Sequence, residues 1–144
     1  MYKKILVPLD GSDLAEKALP HALALAKTEG AELVLLRVPM HPSPEFLARN
    51  PALGTTIIQD TEIETATYLE KEAAQLQREG APVTSLMREG PVAETILKTA
   101  DEVHADLIAM CTHGRTGIQR MLVGSVADKV VHLSHIPVML IHPN

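Results

Sequence analysis

Five short apolar runs alternate along this chain with longer segments of helical period, and that alternation constrains the fold more than any single residue does. The runs are Lys4 to Leu9, Glu32 to Val38, Val83 to Arg88, Asp106 to Cys111 and Pro137 to Ile141. Runs rich in leucine and β-branched residues, separated by helices, are the mark of βαβ units, because parallel neighbours need a long crossover. The prediction is an α/β fold: an open five-stranded parallel sheet with helices on both faces. At 144 residues and 46% hydrophobic, residues 1–144 suffice for one domain with its own core.

Four helical segments lie between the runs. In the first, Ala15, Ala18, Leu19, Ala22 and Ala26 fall at helical spacing. Ser12 or Asp13 can cap it, with Glu16 placed to complete a capping box from Asp13, and Pro20 should kink it. The second spans roughly Thr55 to Glu79 and ends at Gly80, which suits a left-handed residue after a helix. The third opens at Gly90-Pro91, with the proline in the first turn, and buries Ala93, Ile96, Leu97 and Ala100. The fourth opens at Ser125 as candidate cap, turning Ala127, Val130 and Val131 inward, with Asp128 three residues after the cap. Pro39 to Leu53 holds four prolines and no coherent period, so it reads as a loop: a lid, a specificity loop or a mobile connection.

A net charge of -5 without a block of like charges argues against nucleic-acid or anionic-membrane partners. Tyr2, Phe46 and Tyr68 are the only aromatics, so an adenine would have to sit between aliphatic side chains. Cys111 is the only cysteine, which excludes an internal disulfide. No signal-peptide pattern or membrane-length apolar stretch is present, and a reducing cytoplasmic setting is the expectation.

The chemistry concentrates at two strand ends. Ligands in open α/β sheets bind beyond the carboxyl ends of strands, where the strand order reverses. With order 3-2-1-4-5, Rossmann-like, the reversal brings Asp10 at the end of the first strand to face the glycine-rich segment Cys111 to Gly117 after the fourth. Glycines let a backbone approach an anion, and the free N–H groups of a helix opening at Gly124-Ser125 point at whatever sits there. Asp10 suits a ribose hydroxyl or amino group better than a phosphate. A strand-to-helix turn in which Asp10 and Ser12 merely satisfy backbone donors is the competing reading. Ser125 fits both a helix cap and a phosphate contact, and His113 both an exposed loop position and a phosphate contact. His132 and His135 sit at i, i+3 near a helix end, but no cysteine or carboxylate completes a metal set, and an interaction with the helix C-terminus explains them better. No Ser, His and acid arrangement stands out as catalytic.

These residues resemble the universal stress protein family, specifically its ATP-binding branch, from Lys3 to His142. The marks are KILVPLDGS from Lys4 to Ser12, Glu89-Gly90, THGRTG from Thr112 to Gly117, LVGSV from Leu122 to Val126, and IPVMLI from Ile136 to Ile141. The family's nucleotide motif is Gly, two residues, Gly, nine residues, then Gly and Ser or Thr. Gly114, the nine residues that follow, and Gly124-Ser125 match its second part. Cys111 stands in place of the first glycine: a side chain obstructs a backbone of positive φ, or one that must lie against a phosphate, but is tolerated in ordinary extended strand.

The resemblance implies a site of named residues. Pro8, Leu9 and Asp10 would line the adenosine region with Val38 near the base, Met110 and Cys111 would border the pocket, and Gly114, Arg115, Gly124, Ser125 and Val126 would surround a triphosphate. Arg115 suits phosphate oxygens through charge-assisted hydrogen bonds, and suits a solvated loop equally. The cofactor implied is ATP with Mg2+ or Mn2+. The apolar last strand, Val138 to Ile141, would form a sheet edge that needs covering, and pairing with a second copy would give a homodimer through that edge. The third strand, with Thr84, Ser85 and Arg88, suits an exposed edge. The expected role is a stress-response regulator with an unknown protein partner and at most slow ATP hydrolysis. The alternatives are a same-fold interaction protein without nucleotide binding and a receiver-type domain phosphorylated on Asp10.

Overall fold

The computed structural model describes residues 1–112 and 124–142. In chain order the elements are β1 (Lys4–Leu9), α1 (Asp13–Glu16), α2 (Ala18–Glu29), β2 (Glu32–Arg37), α3 (Pro44–Arg49), α4 (Pro51–Arg78), β3 (Val83–Met87), α5 (Val92–Val103), β4 (Leu107–Cys111), α6 (Ser125–Leu133) and β5 (Val138–Ile141). The five strands form one parallel sheet in the order β3-β2-β1-β4-β5, as expected.

Strand alternation divides the core between the two faces of the sheet. Ile5, Val7 and Leu9 of β1 and Leu33 and Leu35 of β2 face one layer, where Ala15, Ala18, Leu19, Ala22, Leu69 and Leu76 of α1, α2 and α4 cover them. Leu6, Val34, Leu36, Ile108 and Met110 face the other, covered by Ala93, Ile96, Ala127 and Val130 of α5 and α6. The central strands are buried on both faces, which is why they read as continuous apolar runs rather than alternating ones. Burial at roughly 25 cal/mol per Å² of apolar surface is the main force holding these layers together.

Several local expectations are corrected. Pro20 does more than kink the helix: α1 ends at Glu16, four residues before the proline, and the chain restarts as α2 at Ala18 with Pro20 as its third residue. First-turn N–H groups have no intrahelical acceptor, so a residue without one fits there. Ser12 is the cap of α1, its Oγ accepting from Ala15 N at 3.1 Å. Asp13 is already helical, and Glu16, instead of closing a capping box, accepts a hydrogen bond from the Tyr68 hydroxyl. The segment Pro39 to Leu53 is not all loop. Ser43 caps α3 by accepting from Phe46 N at 3.2 Å, Pro44 sits in the first turn, and Pro51 opens α4. Those prolines start helices rather than prevent them.

At the other end of α4, Gly80 adopts φ +107, a left-handed conformation as expected. Pro91 precedes α5 as its N-cap residue rather than standing inside the first turn, and Leu97 is only partly buried. Val131 is 42% exposed, because the inward stripe of α6 is carried by Ala127 and Val130, three residues apart.

Candidate functional site

A cleft opens above the carboxyl ends of β1, β2 and β4, where the strand order reverses. Pro8, Leu9 and Asp10 form one side, Val38 and Met40 another, Met110, Cys111 and Thr112 the third, and Gly124, Ser125 and Val126 close it from α6. The walls are aliphatic, with Leu36, Val92 and Ile96 beneath. Nine of the eleven residues expected around the ligand therefore lie together. Gly114 and Arg115, with His113, lie outside the described residues.

Asp10 begins a compact turn. Its Oδ1 accepts from the Ser12 N–H at 2.9 Å and from the Ser12 hydroxyl at 2.5 Å, while the same hydroxyl caps α1. This is the backbone-satisfying turn weighed from the sequence. It uses only one carboxylate oxygen, and Oδ2 carries no hydrogen bond among the described residues. Turn and ligand contact are thus compatible. Gly11 makes the turn at φ +86, a conformation that disfavours a side chain.

Cys111 is the last residue of β4 and pairs with Ile141 of β5. It is ordinary strand without positive φ, so no left-handed backbone excludes a side chain there. Its Sγ lies 3.7 Å from the Ala15 carbonyl oxygen, in the layer covered by α1, α2 and α4. Burial pushes the thiol pKa up, in keeping with its packing in the core.

Thr112 continues the strand. Its N–H donates to Ile141 O at 3.2 Å and its carbonyl accepts from Gly124 N at 2.6 Å, so the end of β4 is tied to the entrance of α6. Its hydroxyl is buried and has no hydrogen-bond partner among the described residues. Gly124, not Ser125, occupies the N-cap position of α6, with φ -67 and no side chain to offer. Ser125 is the first helical residue, so its hydroxyl is not consumed in capping, and it borders the cleft. The free first-turn N–H groups and the positive end of the helix dipole point the same way, a standard setting for an anion. Asp128 donates its N–H to Gly124 O and approaches His132 with its carboxylate at 3.3 Å. His132 Nδ1 also lies 2.7 Å from Asp128 O, so this histidine belongs to the last turn of α6. Among the described residues no group of three or more His, Cys, Asp or Glu could hold a metal ion.

A model of the Universal stress protein family matches residues 1–142. The chain belongs to the universal stress protein family. Over 143 residues it is 37% identical to universal stress protein MJ0531 of Methanocaldococcus jannaschii, covering 98% of this chain and 82% of that protein. The solved structure of MJ0577, from the same organism, superposes with a TM-score of 0.88 at 30% identity, covering 100% of this chain and 98% of that one. A universal stress protein solved in complex with cAMP shares the fold, with a TM-score of 0.72 at 24% identity over 98% of this chain and 97% of the other. As a universal stress protein, the chain has no described helix long and apolar enough to cross a membrane.

Sequence reasoning missed two polar residues at the cleft of this universal stress protein. Thr112 was quoted only as part of a motif. Arg37 was passed over as the end of a strand, yet it is 6% exposed and borders the cleft. The available signal was an arginine directly after Leu33 to Leu36, since a charge ending a doubly buried strand must find a partner.

Proposed function

We propose that this protein binds an adenine nucleotide in the cleft, with ATP as the principal ligand, and acts as a cytoplasmic stress-response regulator. The observation that carries the reading is the meeting of an aliphatic slot, an Asp10 oxygen left open, and the N-terminus of α6 with the Ser125 hydroxyl beside it. The base would lie among Val38, Met110, Val92 and Ile96, Asp10 Oδ2 would accept from a ribose hydroxyl, and the first turn of α6 would face the phosphates. The buried Thr112 hydroxyl, without a partner among the described residues, supports a polar ligand at the same place. So does the cAMP complex of a protein of this fold. The described residues supply no metal cage, so Mg2+ or Mn2+ would arrive on the phosphates and balance their charge.

The regulatory output would be a nucleotide-dependent arrangement of the segment from Pro39 to Arg49, which borders the cleft through Pro39 and Met40, or of a dimer surface. β5 is a sheet edge whose Val138, Met139 and Leu140 are only partly buried, and pairing with β5 of a second copy would cover it. The interaction-protein alternative loses its main support in the extended backbone and inward side chain of Cys111. A receiver-type role is disfavoured by an Asp10 that lacks an acidic cluster around it among the described residues.

The test is thermal unfolding with ATP and Mg2+. Ligand at a hundred times its Kd stabilises the fold by about 2.7 kcal/mol, a rise of several degrees in midpoint for a domain of this size. Adenosine alone should shift it less, and sedimentation of the same sample reads its oligomeric state. No shift at millimolar ATP overturns the nucleotide reading.

A further inference from the structure

Arg37 poses a physical problem. It is a cation at the end of a strand buried on both faces, with a side chain 8% exposed, and its acidic partner Glu64 lies 3.5 Å away on a side chain 72% exposed. An ion pair with so exposed a carboxylate offsets little of the cost of burying a guanidinium. An aliphatic residue would pack there at lower cost, so the guanidinium needs another justification.

Its surroundings supply one. A Cβ on Gly11 would stand 3.1 Å from the guanidinium carbon and 3.1 and 3.3 Å from its terminal nitrogens, so the group lies flat against the backbone of the Asp10 turn. The Tyr68 ring also meets it, with the guanidinium carbon 5.0 Å from the centroid, a cation–π contact. The Tyr68 hydroxyl donates to Glu16 Oε2 at 2.8 Å. One stack anchored on α4 therefore grips the segment at Gly11 and again at Glu16, and Ser12, which holds Asp10 Oδ1, lies between. Burial and the Glu16 carboxylate hold the Tyr68 phenol above its ordinary pKa, so it stays a donor.

We propose that Arg37, braced by Tyr68, is a positioning residue that fixes the Asp10 turn so that the open carboxylate oxygen meets the ribose of the bound nucleotide. The inference rests on the nucleotide reading above and adds the device that makes it selective for the sugar. Gly11 is part of the device, because any side chain there would displace the guanidinium. Both act through the turn and its helix: Arg37 meets Gly11 at the border of the cleft, and Tyr68 is not among the residues that line it.

The test compares ATP with 2′,3′-dideoxy-ATP, which lacks the hydroxyls that Asp10 would bind, by titration calorimetry with Mg2+. Wild-type protein should prefer ATP by about tenfold or more, the scale of a hydrogen bond to a charged acceptor. Arg37→Met should weaken ATP by nearly that factor and leave the dideoxy affinity within about twofold. Tyr68→Phe keeps the ring, loses only the Glu16 link, and should lower the preference by a smaller factor. It serves alone if Arg37→Met fails to fold. Folded variants that keep the wild-type preference, or that weaken both ligands equally, overturn the positioning role while leaving nucleotide binding intact. Wild-type protein that binds neither ligand overturns the nucleotide reading, and this inference with it.

Discussion

The two halves of α4 belong to one continuous helix and are held by different forces. From Thr65 onward, Thr65, Leu69, Ala73 and Leu76 are buried at spacings of four, four and three residues, a stripe laid against the sheet. From Pro51 to Glu64 only Gly54 is buried, against Leu47 of α3, while Leu53 and Ile63 are 53% and 65% exposed. The reason is length. At 1.5 Å per residue the 28 residues of α4 span about 42 Å, whereas six residues of β1 span about 20 Å. The helix outruns the sheet, so its second half is part of the core and its first half is built from local signals and α3.

The largest effect should come from the core half. Leu69→Ala, at 3% exposure, is expected to cost about 2–5 kcal/mol in urea unfolding. A cost under about 1 kcal/mol would dissolve the contrast between the halves.

Glu72, also in the core half, sharpens the comparison through pH. Burial, then the neighbouring Glu16 carboxylate, raises its pKa above the ordinary value. A carboxyl with a raised folded pKa binds protons more readily in the folded state, so stability falls as pH rises from the ordinary carboxylate range through that raised value. Glu72→Gln should therefore be slightly more stable than wild type at neutral pH. The advantage should vanish in acid, where the wild-type group is protonated in both states. Equal unfolding midpoints at both pH values would show that the half-buried Glu72 carries no cost of burial.

The smallest effect belongs to the outer half. Ile63→Asp should change stability by no more than about 0.5 kcal/mol. A loss above about 2 kcal/mol would show that the outer half is packed after all.

How far each region could be read in advance follows the same division. The strand cores were legible because doubly buried parallel strands must be continuous apolar runs, and the inner half of α4 because its period repeats. Of the outer half, Thr55 to Glu64 was legible as helix, whereas its first turn from Pro51 to Leu53, and all of α3, were read as loop. Pro44 and Pro51 signal helix starts only when a capping residue such as Ser43 precedes them, and without apolar period that signal is easily taken for a break. Pro20 was legible as a disruption, and the structure makes it a full interruption at Lys17, in the turn that the proline ring crowds. Ser125 and Gly124 differ by one residue, the usual uncertainty of a helix end, yet that shift releases the serine hydroxyl from capping.

By itself the sequence determined which residues are apolar at which period, and so the parallel sheet, its layers and the chain ends where Asp10, Met110 and Ser125 would stand. Only the tertiary structure decided that Cys111 turns into the core from an extended backbone, that one oxygen of Asp10 stays open among the described residues, and that Arg37 meets both Gly11 and Tyr68. Periodicity reports which face of an element is buried. It does not report what meets across 26 residues of chain, as Gly11 and Arg37 do, because that contact depends on strand register and on where a helix from another layer happens to end.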